Sequence, residues 1–429
     1  MTDPSAATVR SGLPADSMQA PLSDQAATVV ATPGAEAIGS IRDLYDGALL
    51  PDLQVNTLRN VDRLFPTRLV ASGTNVHALP VSSRPWPAIR FDDGGQRWDL
   101  FDYLSLNRVS GLLVLQAGEV AFEHYALGNT PQTRWTSMSM AKSITATLVG
   151  AAIHDGHIGS LDEQVCHYVP TLAGSAYEGV TIRQVLQMSS GVRWNETYTD
   201  PLSDRRRLLE AQLSQRPGAL LDCMAALPRA SPPGSVWNYS TGETQVAGAV
   251  LRAAVGRPLS DYLSERIWAR FGMEADASWW LESPGGMEVA GSGLSARLRD
   301  FARFGLFMLG GGVAGGTQIL PQGWIEEASS GKAVNGSVVP YGYMWWPMED
   351  SAGAVHQGAY LAIGIFGQYL YIHPAKQVVI AQWSAMPKPK GTVPVQPASF
   401  FAAVVQALGR SSSSGRPPEE TSDCYQINS

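Results

Sequence analysis

Lysine is scarce in this chain: five of its 31 basic residues, at 142, 332, 376, 388 and 390, in 429 residues. Charged residues make up 16%, the net charge is −7, and the basic residues form no stripe. That excludes nucleic acid and anionic membrane surfaces as partners. Cysteine is scarcer still. Cys166, Cys223 and Cys424 form an odd set with no paired spacing, which excludes a disulfide framework and fits a reducing compartment. Apolar runs long enough to span a bilayer are missing. Residues 1–40 carry Asp3, Asp16 and Asp24, with no basic start and no sustained apolar core, so no signal peptide is read there. The expected location is the cytoplasm. His, Cys and carboxylates show no ligand spacing; His154 and His157 flank a helix-ending Asp155-Gly156 and read as turn residues. No metal and no cofactor are expected.

What is present is 45% hydrophobic residues, enough for a large core in two subdomains. Residues 1–40, rich in Ala, Ser, Thr and Pro, read as a disordered N-terminal segment, and 411–429 as a disordered polar tail. The folded unit is then 41–410. Residues 111–125 pattern as a β-hairpin turning at Ala117-Gly118, and Gln368–Ile372 with Val378–Ala381 as a second, turning at His373–Lys376. Between them the chain is mostly helix and loop: Ile182–Met188 capped by Thr181, Thr241–Val255, and Ala296–Leu309, with a last helix near Ala398–Leu408. The expected fold is α+β, one antiparallel sheet built from both chain ends and flanked by helices. Its sheet subdomain covers about 41–135 and 285–410, and its helical subdomain about 136–284.

Two of the five lysines follow a serine three residues back: Ser139/Lys142 and Ser329/Lys332. Ser and Lys at that spacing share one helix face, and burial can discharge the amine, giving a nucleophile with its own base. Context separates the two. After Lys142, Ile144, Leu148, Ala151 and Ala152 recur at helical spacing, so Ser139 starts a long apolar helix. Free N–H groups and the positive dipole end lie there, suited to an oxyanion. Gly331 interrupts the second motif, which reads as a surface helix end. The ordinary alternative for Ser139 is a helix cap beside a solvated lysine.

Acyl transfer needs a second proton carrier. Tyr239 is the candidate, in Pro232-Pro233-Gly234-Ser235-Val236-Trp237-Asn238-Tyr239-Ser240-Thr241. There an irregular segment delivers the ring to the start of a helix. A nearby ammonium would lower its pKa from about 10. The ordinary alternative is a packing tyrosine.

Together these segments resemble the serine β-lactamases and D,D-peptidases. Ser139-Met-Ala-Lys142 is similar to their Ser-x-x-Lys motif, and Tyr239-Ser240-Thr241 to their Tyr-x-Asn/Ser element. Pro232-Pro-Gly-Ser235, Asp155–Asp162 and Thr181–Gly191 fit the class C group. Tyr168–Tyr177, Trp194-Asn-Glu-Thr-Tyr198-Thr-Asp-Pro201 and Gly364-Ile-Phe-Gly-Gln368 look closest to its 6-aminohexanoate-dimer hydrolase and esterase branch. The resemblance runs from about 41 to 410. It implies a β-lactamase/transpeptidase-like fold and a serine hydrolase cleaving small linear amides or esters through an acyl-serine. Ser139 would be the nucleophile. Lys142 would take its proton or hold Tyr239 ionised, and Tyr239 would serve the leaving group. The N–H groups of Ser139 and Ile365 would form the oxyanion hole, with Gly364 beside the substrate. Tyr198 would sit at the cleft mouth and bond the substrate amide nitrogen.

One departure stands out. Where β-lactamases carry Lys-Thr-Gly or His-Thr-Gly on the strand lining the site, the matching positions read Ala362-Ile363-Gly364-Ile365. His356-Gln357-Gly358 is a rival match whose distance to the His373-Pro374 turn is longer than the register allows. The competing functions are a β-lactamase or D-amino-acid peptidase, and a non-enzymatic acyl-trapping sensor. The candidate partners are a small amide or ester substrate and a second copy of the chain. Arg205-Arg206-Arg207 reads as a solvated helix face. Trp279-Trp280 and Trp345-Trp346 read as core packing, with a cleft lining as the alternative. Gly310–Gly312 and Gly315-Gly316 read as turns.

Overall fold

The computed structural model describes residues 36–348 and 353–411. The expected N-terminal segment up to residue 35 and the tail from residue 412 lie outside them. The main sheet has six antiparallel strands in the order Trp346–Pro347, Tyr360–Gly364, Gln368–His373, Val378–Ser384, Val109–Gln116, Glu119–Tyr125. Both expected hairpins are therefore in one sheet, joined where Val114 pairs with Ile380. The central strands are buried on both faces, which is why they read as continuous apolar runs. Leu113, Leu115, Val379 and Ala381 face the larger core. Leu112, Val114, Val378 and Ile380 face a smaller one. The smaller core is closed by helices Leu100–Leu106 and Pro397–Ser411, with Tyr103 and Phe400 stacked at 3.8 Å.

The larger core holds helix Leu298–Leu309 against the sheet, then helix Met140–His154 and the helices around it. Met140–His154 is buried from Met140 to Ala152, as expected for a helix apolar on every side. Gly150 lets it press on Trp324, since a Cβ there would lie 2.4 Å from the indole.

A second, four-stranded sheet was not legible in the sequence: Thr67–Val70, Ala277–Trp280, Leu294–Arg297, Arg134–Thr136. It corrects the expected helix over Ala296–Leu309. Residues 294–297 form a strand, of which Ser295–Arg297 pair with Arg134–Thr136, and the helix starts at Leu298. Trp279 and Trp280 are buried in this sheet. Its strand Arg134–Thr136 runs straight into Ser137–Ser139, and Ser137 N–H is held by Leu294 O at 2.7 Å. Among the described residues no helix is long and apolar enough to cross a membrane.

Candidate active site

Strand Arg134–Thr136 ends and helix Met140–His154 begins within three residues. Met138 makes that corner possible by adopting φ +44°, a left-handed conformation uncommon outside glycine. Ser139 is the residue before the helix, with φ −69° and no capping bond from its side chain. Its hydroxyl thus remains available rather than committed to the cap. One turn on, Lys142 is 1% exposed. Its Nζ lies 2.9 Å from Ser139 Oγ and donates to Gly291 O at 2.9 Å. Burial pushes the Lys142 pKa down from 10.5 to about 7, Glu196 opposes the shift, and Arg205 and Lys390 add to it. A buried amine that is half neutral near pH 7 can accept a proton there.

The Gly291 carbonyl is fixed by helix Thr241–Val255. Gln245 accepts from Ala290 N–H at 3.0 Å and donates to Glu288 O at 3.1 Å, while Thr145 donates to Ala290 O at 2.8 Å. Two helices thereby set the loop that holds the lysine. Nothing in the sequence marked Gly291, because its role depends on a contact 149 residues away.

Tyr239 precedes helix Thr241–Val255 and packs within an aromatic group, 5.8 Å from Trp346 and 6.0 Å from Tyr341. Lys142 Nζ is 5.5 Å from its ring centre. Its pKa is not lowered as the sequence reading expected. Burial and the Glu196 charge raise it above 10, although a hydrogen bond with Ser139 works the other way. Desolvation is the largest cause, and it outweighs the Ser139 hydrogen bond and the Arg205 charge that lower the value. The phenol is therefore protonated at rest.

Opposite Ser139 runs strand Tyr360–Gly364. A Cβ on Gly364 would lie 2.5 Å from Ser137 O and 3.0 Å from Met138 Cβ. Only glycine allows the strand this close to the turn that carries Ser139. Ile365 follows at the strand end, and Phe366 and Gly367, both at positive φ, turn the chain back to Gln368, the pattern of a primed hairpin turn. His356 is removed from the site. Its ring nitrogens meet Tyr371 Oη at 3.0 Å and Ala398 O at 3.1 Å, in the smaller core.

These residues line a cavity of about 650 Å³ that includes Ser139, Tyr198, Tyr239, Ile363, Gly364 and Ile365. Trp346 lines it as well, while Trp345 is buried beneath. Tyr198, expected at the cleft mouth, is one of these lining residues. It is 4% exposed, and its hydroxyl donates to Glu196 Oε1 at 2.8 Å. Glu196 is the residue the sequence reading passed over, although it lies inside the Trp194–Pro201 match. It accepts from Trp194 Nε1, from Thr241 N–H at 2.9 Å and from Thr241 Oγ1 at 2.5 Å.

Behind Tyr198, Arg205 and Arg206 correct the solvated-face reading. Both are 5% exposed. The Arg205 guanidinium lies 4.6 Å from the Tyr45 ring centre and 5.8 Å from that of Tyr198, and it donates to Tyr45 Oη. Arg206 pairs with Asp46 and donates to Tyr198 O at 3.1 Å. Tyrosine rings and a planar guanidinium stack well, which keeps the charge buried without exposing it to water.

The second Ser-x-x-Lys match falls apart in space. Ser329 ends helix Trp324–Ser329, and Lys332 starts a strand. The Lys332 amine donates to Ser330 Oγ at 3.3 Å and lies over the Tyr343 ring.

A serine–lysine pair at the start of a buried helix, between an antiparallel sheet and a helical layer, points to a class. The chain belongs to the β-lactamase family, whose model matches residues 107–398, and it is a hydrolase of that family. The 6-aminohexanoate-dimer hydrolase of Paenarthrobacter ureafaciens is 32% identical over 319 residues, 71% of this chain and 79% of that protein. Among solved structures, a provisionally named 6-aminohexanoate-dimer hydrolase from Bacillus anthracis superposes with a TM-score of 0.71 at 24% identity, covering 84% of this chain and 93% of that one. A family VIII carboxylesterase superposes at 0.54 and 18% identity, covering 70% and 92%. These two likenesses bear on the fold alone.

Proposed function

We propose that this protein is a serine hydrolase that cleaves small linear amides or esters through an acyl-serine on Ser139. The carrying observation is the buried 2.9 Å contact between Ser139 Oγ and a Lys142 amine whose pKa is pushed down to about 7. Ser139 Oγ attacks the carbonyl carbon as its proton passes to neutral Lys142. The oxyanion forms near the N–H groups of Ser139 and Ile365, where one such donor is typically worth about 2.7–4 kcal/mol. The Tyr239 hydroxyl, neutral at rest, gives a proton to the departing amine or alkoxide, and the Lys142 ammonium restores it. Water then attacks the acyl-serine by the same relay. The raised Tyr239 pKa favours Lys142 over Tyr239 as the resting base.

The likeness to a 6-aminohexanoate-dimer hydrolase supports a linear aliphatic substrate. The apolar run Ala362–Ile365 lacks the cation that a β-lactam carboxylate would meet, which weighs against β-lactamase or D-amino-acid peptidase activity. The compartment we infer is the reducing cytoplasm, on the free thiols Cys166 and Cys223; a fractionation that finds the protein elsewhere overturns that. The test of function mixes the purified protein with p-nitrophenyl butyrate and with 6-aminohexanoate dimer, wild type beside Ser139→Ala. A burst of p-nitrophenol that vanishes in the variant, with a butyryl adduct on Ser139 by mass spectrometry, is expected. No turnover and no adduct would end this reading.

A further inference from the structure

The strand that faces Ser139 carries no cation, yet the cavity is not without positive charge. It enters from Met386–Val393, the segment between the last sheet strand and the last helix, which forms one wall of the cavity. Two of the five lysines lie here. Lys388 is occupied, its amine donating to Gly47 O at 2.8 Å. Lys390 is different. Its amine lies 5.3 Å from the Tyr198 ring centre and 6.0 Å from that of Tyr239, and among the described residues it makes no ion pair. Pro387 and Pro389 each precede one of these lysines and stiffen the segment that presents them.

The charges around that amine are asymmetric. Arg205 stands behind the Tyr198 ring, and Lys142 lies on the Tyr239 ring. The carboxylate that lines the same wall, Glu196, already accepts from Trp194, Tyr198 and Thr241. Lys390 and Arg205, with the partly charged Lys142, outnumber that one carboxylate on this side of the cavity, in a chain whose net charge is −7. A low-dielectric cleft lined by one sign of charge concentrates ligands of the other. The cavity that holds both Ser139 and Lys390 also has apolar and aromatic lining, Trp346, Ile363 and Val393 among it.

We infer that Lys390 is a specificity-determining residue that receives a carboxylate on the leaving-group half of the substrate. This rests on the serine-hydrolase reading and narrows it. The leaving group departs past Tyr239, the ring on which Lys390 sits, so an aliphatic leaving group ending in a carboxylate would lay its chain on Trp346 and its charge against the Lys390 amine. A neutral leaving group of the same length would gain the apolar contact alone.

The experiment uses two butyrate esters, of ω-hydroxyhexanoate and of its carboxamide, which share the same scissile bond. For each, kcat and KM are measured by chromatography with wild type, Lys390→Arg, Lys390→Met and Lys390→Glu. Wild type is expected to prefer the acid over the carboxamide in kcat/KM by about fivefold, the scale of a partly exposed ion pair. That preference should reside mainly in KM and shrink as salt rises. Lys390→Arg should keep it, Lys390→Met abolish it and Lys390→Glu reverse it. Because the readout is a ratio within each variant, a general loss of activity does not disguise the result. A wild type indifferent to the carboxylate, or a preference that survives in Lys390→Met, overturns the inference while p-nitrophenyl butyrate still acylates Ser139. Absence of that acylation in wild type overturns the hydrolase reading and this one with it.

Discussion

The chain contains the same four-residue pattern twice, and the two copies differ in every respect that matters for chemistry. Ser139 and Lys142 sit on one buried helical turn, with Oγ and Nζ 2.9 Å apart. Ser329 and Lys332 straddle a helix end, and the lysine is half-buried over Tyr343, bonded to Ser330 instead. Burial lowers the pKa of both amines against an opposing carboxylate, Glu196 at Lys142 and Glu327 at Lys332, but only Lys142 is fully buried and brought down to about 7. Spacing alone confers nothing. What makes a nucleophile is a continuous helix through the motif, a core that strips water from the amine, and a turn that leaves the hydroxyl uncapped.

The strongest way to break this comparison is to delete each copy. Ser139→Ala and Lys142→Ala should each lower kcat on p-nitrophenyl butyrate by at least about a thousandfold, since such groups act as a unit. Ser329→Ala and Lys332→Ala should leave it unchanged. Equal losses at both motifs would remove the distinction. Next in size is Tyr239→Phe, expected to lower kcat by about a hundredfold or more with the fold intact by circular dichroism, the usual scale of a lost general acid. Gly364→Ala should fall in the same range. Its methyl would strike Ser137 O and push Ile365 away from Ser139, so the loss should be in kcat rather than KM.

The part of the site lying along one helix was readable because helix geometry is local. Ser139 and Lys142 need only the periodicity that follows them. Both hairpins, and the sheet joining the chain ends, followed from apolar runs broken by turn residues. The second sheet escaped because its strands are only three or four residues long, scattered from Thr67 to Arg297, and each is too short to show alternation. Arg205 and Arg206 were misread for a related reason. Charge predicts a wet face only if no aromatic or carboxylate meets it, and Tyr45, Asp46 and Tyr198 come from other segments. Glu196 lay within a recognisable match, but its bond to Thr241 spans 45 residues. Lys390 had one signal, its membership of a set of five, and that signal has no meaning before the cavity is known.

The two lysines also differ in what they do to stability. Lys142 has a folded-state value of about 7 against an ordinary 10.5. For a base the depressed value means that burial destabilises the fold fully below about pH 7, and that this fades as pH rises towards the unfolded value. Lys142→Met should therefore stabilise the inactive protein at pH 6.5, by about 2 kcal/mol in urea unfolding, with the gain shrinking by pH 9.5. Lys332→Met should change stability by less than about 0.5 kcal/mol at either pH. A destabilised Lys142→Met at pH 6.5 would mean that its bonds to Ser139 and Gly291 outweigh desolvation.

The smallest expected effect sharpens the comparison at the level of charge. With Lys142 as base, kcat/KM on p-nitrophenyl butyrate should rise with pH along a limb whose midpoint lies near 7, because only the neutral amine accepts the serine proton. Glu196 raises the Lys142 pKa and Lys390 lowers it. Removing the negative charge with Glu196→Gln should move the limb to lower pH, and removing the positive one with Lys390→Met should move it to higher pH. Each shift should be about half a pH unit, as expected for charges acting across several ångströms at an intermediate dielectric. Lys332→Met should leave the limb in place. Opposite shifts from two residues that do not touch Ser139 require a titrating base sensitive to both, and of the two lysines in the paired motifs only Lys142 lies beside this cavity. Shifts of the same sign would point to general disturbance of the pocket instead.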